Sequence, residues 1–315
     1  MITINEKYTI PERWEELSPS QFLEVAKILS SMYRKGIDYH TLKISLFLAL
    51  TGIKNVHPEN EQWCENVWRI TEHITFPYKF VYPEEKFLQL DPSVQRYLQK
   101  HLPPESGEPH FRAASKMTRY LVPDLCFSKQ LLESLPESHF QGYTFTVSGE
   151  IVITSLTAAQ YIDANTILQQ IHSNNDLSLL PHLAQILYCP YPYSSAQAEK
   201  IDLAKERHET LEAVMYNYMG IVEWISNLSK YDILFHPPVK QSGKNLLGQN
   251  SSLYNLSSKG YGTLTQVGEL PLFSYLDLLL KQTVDAVHQL KSLGKKKSEI
   301  ASELNLSFQQ INTIL

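Results

Sequence analysis

The sequence predicts a mainly α fold with a minor β component, built as two related helical halves, each introduced by a strand or hairpin. Three observations predict it. The stretches "WEELSPSQFLEVAKIL" (Trp14 to Leu29) and "ITSLTAAQYIDANTIL" (Ile153 to Leu168) share L-[ST]-x-x-Q-[FY]-[LI]-[ED] in register, 139 residues apart. Each is preceded by a strand-like run and followed by an apolar helical one, "TLKISLFLALTGI" and "LLPHLAQILYCPY". From Ala196 to Tyr231, apolar residues recur at steps of three and four with no proline, the period of one helical face.

The N-terminal "MITINEKYTI" has the alternation of a strand. Ser18 and Gln21 then stand as N-cap and N3 of a capping box, with Leu17 and Phe22 placed as the hydrophobic staple. Pro19 falls at the first helical position, where its missing N–H costs nothing. Residues 1–76 are read as the first half. From Pro77 to Pro136 clustered prolines interrupt any long helix, so 77–139 is expected to be an irregular connection, with "HLPPESGEPH" as an exposed linker. "FQGYTFTVSGEIVIT" reads as a hairpin turning at Ser148-Gly149. Thr157, Gln160, Leu156 and Tyr161 repeat the cap and staple, and 140–240 forms the second half.

In that half Ile201, Ala204, His208, Leu211, Met215, Tyr218, Val222 and Ile225 share one face. A continuous helix from Ala196 to Tyr231 would be roughly 50 Å long at about 1.5 Å per residue. Its seam suits bundle core or a partner helix; Leu211, Met215, Tyr218, Val222 and Ile225 are the candidate partner-binding residues. Residues 241–271, rich in Gly, Ser and Asn, are expected to form a mobile loop, with Gln241 to Thr263 ordering on contact. A last helix, about Leu272 to Leu293, leads into a helix-turn-helix-like tail within 272–315.

Composition bounds the function. The chain of 315 residues is 43% hydrophobic and 19% charged with a formal net charge of −5, which disfavours a nucleic-acid scaffold or a membrane-surface role for the whole chain. No signal peptide is visible, and the longest apolar stretch, "ISLFLALTGI", is too short for a bilayer span. Cys64, Cys126 and Cys189 are odd in number and far apart, so neither a disulfide framework nor a metal knuckle is indicated. A cytoplasmic location follows as the expectation.

No catalytic motif is completed. "SGKNLLG" lacks the upstream glycine and the Ser or Thr of a phosphate loop. "HETLE" places Glu212 where a zinc protease helix needs its second His. No G-x-S-x-G elbow occurs, and His40, His57, His101, His110, His182 and His236 share no ligand spacing. Neither an enzyme activity nor a cofactor is expected.

The tail "KSEIASELNLSFQQINTIL" carries the alternative reading. Ile300, Ala301 and Leu304 supply a first buried face, Asn305 a left-handed turn, and Leu306, Ile311 and Ile314 a second. Ser307, Gln309, Gln310 and Asn312 would then meet base edges, and Lys295, Lys296 and Lys297 phosphates. Against it, "LSFQQI" repeats the cap grammar of "LSPSQF" and "LTAAQY", so the pattern marks how this chain starts helices. The second tail helix is short and carries neither Arg nor Lys.

"LTAAQYIDANTILQQI", the apolar "LAQILYCPY" with Pro190 and Pro192, and "GYGTL…PLFSYLDLLLKQ" from Gly260 to Gln282 together resemble the tail-assembly-chaperone-like proteins of phages and prophages, over residues 150–283. The resemblance implies a non-enzymatic morphogenesis factor binding phage structural or tail proteins, in the host cytoplasm if phage-encoded. It implies no catalytic residues.

Overall fold

The computed structural model describes residues 2–4, 8–35, 38–54, 56–81, 90, 92–95, 120–238 and 250–315. The fold is mainly helical with three small two-stranded antiparallel sheets among the described residues. The chain divides into two compact units, Met1–Leu125 and Cys126–Leu315. The boundary falls inside the stretch expected to be an irregular connection. "HLPPESGEPH" lies outside the described residues, as do positions 241–249 of the expected loop.

In the first unit β1 (Ile2–Ile4) pairs with β2 (Tyr8–Ile10). Helix α1 (Pro19–Lys35) starts where the cap grammar places it. Ser18 N–H donates to Gln21 Oε1 at 3.0 Å, and Gln21 N–H donates to Ser18 Oγ at 3.3 Å. The box satisfies two of the donors that every helix start leaves open. Phe22, Val25, Leu29 and Met32 form the buried stripe, and α1 lies against α2 (Tyr39–Thr51), which in turn packs on α3 (Glu61–Thr71). Asp38 caps α2, accepting from the N–H groups of His40 and Thr41. Gly52, in the left-handed conformation at φ 69°, ends it, the usual glycine stop. The fully buried Lys43 is ion-paired with Glu72, and its ammonium lies over the rings of Tyr39 (4.9 Å) and Trp68 (4.8 Å). Strands β3 (Tyr78–Val81) and β4 (Tyr120–Pro123) pair with each other.

The second unit repeats the plan. Hairpin β5 (Phe145–Ser148) and β6 (Ile151–Thr154) turns through Gly149 and Glu150, one residue later than expected, with Ser148 paired to Ile151. Gly149 supplies the positive φ of 62°. Helix α4 (Ala158–Asn174) has the 17 residues of α1, and its buried Tyr161, Ala164, Leu168 and Ile171 sit at the positions of Phe22, Val25, Leu29 and Met32. Asn175 closes it in the left-handed conformation. Helix α5 (Leu180–Leu187) is entered through a short 3-10 turn capped by Asp176, then packs on α4. The motif glutamine has a second duty in both units. Gln21 Nε2 donates to the carbonyl of Leu50 at 2.7 Å, and Gln160 Nε2 to that of Ile186 at 2.8 Å. Leu50 and Ile186 are each the penultimate residue of the second helix. In the first unit one amide thus serves the start of one helix and the end of the next; in the second, Gln160 serves the cap through its backbone N–H and the later helix through its amide.

The continuous helix expected from Ala196 to Tyr231 does not form. Only a short turn, α6 (Ser195–Ala198), precedes α7 (His208–Ser226), which has 19 residues, about 29 Å at about 1.5 Å per residue. Two side chains divert the backbone between them. Asp202 Oδ1 accepts from Ala204 N–H at 2.9 Å, a local turn that competes with the helix ladder. The buried Glu206 turns away to accept from Ser138 N–H at 2.7 Å and Ser138 Oγ at 2.8 Å. Periodicity continues through residues whose polar groups have other partners.

Helix α7 is the core of this unit and packs on α5. Asn217, inside it, accepts from Leu131 N–H at 2.8 Å and donates to Gln130 Oε1 at 2.6 Å. Residues 126–139 therefore belong to this unit. Gly220 lets the Phe127 ring lie against the helix, since a Cβ there would stand 2.1 Å from it. After the short α8 (Asp232–Phe235), the expected loop of 241–271 is helical in its described part, with α9 (Ser251–Ser258) and α10 (Leu264–Gly268). Buried Leu253, Leu256 and Val267 anchor it, outweighing the loop-like composition. Helix α11 (Leu272–Ser292) then leads to α12 (Lys297–Leu304) and α13 (Phe308–Ile314), closed around Val287, Ile300, Leu306 and Ile311.

Candidate functional site

The sequence-predicted partner seam turns out to be interior. Leu211, Met215, Tyr218 and Ile225 are buried and Val222 half-buried within the second unit. Tyr218 is wholly enclosed, with its hydroxyl donating to the Tyr161 carbonyl at 3.2 Å. These five residues hold α7 in its own core and offer no docking face. His208 and Glu212, from the incomplete metal motif, pair with each other at 3.4 Å. No group of three or more His, Cys, Asp or Glu poised around a metal occurs among the described residues.

In the tail, Asn305 takes the left-handed conformation expected of it, at φ 51°. Ser307 and Gln310 close a complete capping box at the start of α13. The predicted DNA contacts fare unevenly. Gln310 is 6% exposed, and its Nε2 donates to Asp232 Oδ2 and the His236 carbonyl, both at 3.1 Å. It cannot reach a base edge, because it is holding the tail to the end of α8. Ser307 is occupied as the cap, Lys295 is ion-paired with Glu303, and Lys297 Nζ donates to Asn312 Oδ1 at 2.5 Å. Lys296 and Gln309 stand exposed, beside an exposed Phe308.

A cavity of about 340 Å³ in the second unit is the more developed feature. Four elements form it: the start of α4, the segment following α5, and helices α9 and α10. Their meeting has a local cause. The backbone on either side of the Thr157 cap pairs with the strand-like entry to α11, through Ala158 N–H to Leu270 O and Leu272 N–H to Leu156 O, both 2.9 Å. Gly268 then lets α10 lie close against Ala159, since a Cβ there would stand a tight 3.3 Å from the Ala159 methyl. Helix α10 itself begins with another reciprocal box, Thr263 with Gln266.

The cavity wall combines tyrosine rings and carboxylates. Tyr191 is 81% exposed at its rim, Tyr254 is 48% exposed, and Leu264 adds apolar surface. Tyr193 donates its hydroxyl to Asp163 Oδ2 at 2.5 Å, and Ser195 Oγ reaches the same oxygen at 3.4 Å. Burial raises the Tyr193 pKa well above its ordinary value, reinforced by the hydrogen bond and charge of Asp163, so the phenol stays protonated and donates. Glu269 lies exposed in the same wall, without a side-chain partner among the described residues. No Lys, Arg or His lines the cavity among the described residues.

None of these cavity residues was singled out as a site from the sequence. Asp163 was visible only as the acidic position of the repeated helix start, and "YPY" at 191–193 as a proline-bounded helix end. Comparison with known protein families, with curated proteins and with solved structures finds no match to this chain. No helix among the described residues is long and apolar enough to cross a membrane.

Proposed function

We propose that the protein is a non-enzymatic interaction protein that binds a partner protein through the tyrosine-lined cavity of its second unit. The supporting observation is the clustering of exposed Tyr191, Tyr254 and Leu264 around one concave surface. Exposed apolar side chains are unremarkable singly, but grouped around a concavity with a few polar groups they make it the first candidate for a binding site. Tyrosines are well suited to it, since they give large contact area at small conformational cost. The resemblance over residues 150–283 adds the finer reading of a phage or prophage morphogenesis factor that holds a tail or structural protein before assembly. Co-expression with the products of adjacent genes tests both. A defined complex that is lost in Tyr191→Ala supports the reading. No complex with any neighbouring product, and no association with assembled particles, overturns it.

The helix-turn-helix geometry of α12, Asn305 and α13 favours a second reading, a DNA-binding regulator using Lys296 and Gln309. A salt-dependent gel shift that weakens in Gln309→Ala supports it, and no shift at low salt removes it. Gln310→Ala is unsuitable for this test, because that side chain anchors the tail.

A further inference from the structure

Resting on that reading, we propose that the cavity accepts the guanidinium group of an arginine displayed by the partner. Three features of the wall converge on this chemistry. Asp163 commits Oδ2 to Tyr193 and Ser195, which leaves Oδ1 without a partner among the described residues. Glu269 brings a second carboxylate with no intramolecular counter-charge there. The rings of Tyr191, Tyr193 and Tyr254 line the same space, and aromatic faces attract cations through their quadrupole. The volume of about 340 Å³ is at the small end for ligand cavities, the size for a side chain and its flanking backbone. Of the two basic side chains, arginine fits better. Its planar fork serves carboxylate oxygens while its flat face stacks on a ring, whereas an ammonium is a compact and strongly hydrated point charge. The body's net charge of −5 favours the encounter further.

Calorimetric titration of the full chain with acetylated, amidated Gly-Ser-Arg-Ser-Gly tests the proposal, alongside the same peptide with lysine or the neutral isostere citrulline in place of arginine. The arginine peptide is expected to bind about tenfold or more tighter than the citrulline one, and more tightly than the lysine one. Its binding is expected to weaken with added salt. Glu269→Gln is expected to reduce binding by about fivefold or more, as a charge-assisted contact would. Glu269 is exposed and its side chain supports nothing else described, so the variant keeps its fold, as circular dichroism will check. Tyr254→Leu, which retains bulk but removes the aromatic face, is the second variant. Equal binding of the arginine and citrulline peptides, or of the arginine and lysine peptides, overturns the proposal, as does wild-type affinity in both variants. A partner that co-purifies while no peptide binds removes this inference and leaves the interaction reading standing.

Discussion

The helix pairs α1–α2 and α4–α5 use one plan with different surroundings. Both start at a Ser or Thr cap, both bury the same four positions of a 17-residue helix, and both send the motif glutamine to the end of the second helix. In both, an aspartate opens the way into that second helix, Asp38 and Asp176. The difference lies at the first cap. Ser18 and Gln21 close a full reciprocal box, and Gln21 is half-buried. At Thr157 only the hydroxyl half is made among the described residues, Gln160 is buried, and the flanking backbone pairs with the entry to α11. Asp163 and its counterpart Glu24 diverge for the same reason. Glu24 faces solvent, while added elements over α4 enclose Asp163 in the cavity wall. A cap that is self-sufficient leaves its helix start free; one flanked by backbone that pairs with distant chain gathers other elements around it.

The comparison can be broken most sharply in the core. Phe22→Ala and Tyr161→Ala are each expected to cost about 3–5 kcal/mol, as aromatic truncations in packed interiors do. Chemical denaturation, with hydrogen exchange reporting each helix pair, checks this. A tolerated substitution at either position would end the structural equivalence of the two pairs.

A smaller and unequal effect is expected at the glutamines. Gln160→Ala strips the buried Ile186 carbonyl of its 2.8 Å donor and leaves it the longer 3.4 Å bond from Cys189 N–H, at a cost of about 2–3 kcal/mol. Gln21→Ala loses the analogous bond and one arm of its box where solvent can substitute, at about 1–2 kcal/mol. Shifts in denaturation midpoint at constant slope measure both. A larger loss at Gln21 would reverse the order proposed from burial.

The finest distinction concerns the aspartate caps. Hydrogen bonds from the Thr41 hydroxyl and backbone hold Asp38 below its ordinary pKa of 3.8, and those from Ser178 do the same for Asp176. Both folded values lie below the unfolded one. Their contribution to stability is therefore present above about pH 3.8 and lost as pH falls through the depressed folded values. Carboxyl titration by NMR should find both values below 3.8. A normal value at one of them would show that the two second helices are capped differently.

What could be read from the sequence was local. Helix starts at Ser18, Thr157 and Ser307, the turn at Asn305, and the last long helix all follow from side chains acting on backbone a few residues away. The same near-range grammar at Thr263 and Gln266 was available and would have placed a helix in the supposed loop. Long-range matters were hidden. The acceptors of Gln21, Gln160 and Gln310 lie 29, 26 and 74 or more residues distant. Glu206 breaks the expected long helix by binding Ser138, a partner that no periodicity announces. The seam of α7 could not be assigned to core or surface until Asn217 and Gly220 showed which segment lies upon it. A cavity assembled from four separate elements leaves no contiguous signature.

The pairing of residues 156–158 with 270–272 has one more consequence. These two backbone bonds bring the ends of the stretch from Ala158 to Leu270 together, while α7 within it packs on residues 126–139. Closing so long an excursion is entropically unfavourable, yet the cost grows only slowly with its length. Extra residues at an exposed turn of that stretch would therefore add little to the cost of closing it, whereas changes in α4, α5 or α7 would reach the core. The clasp of 156–158 on 270–272 thus tolerates a longer path between its ends, provided that the helices packed along that path are kept.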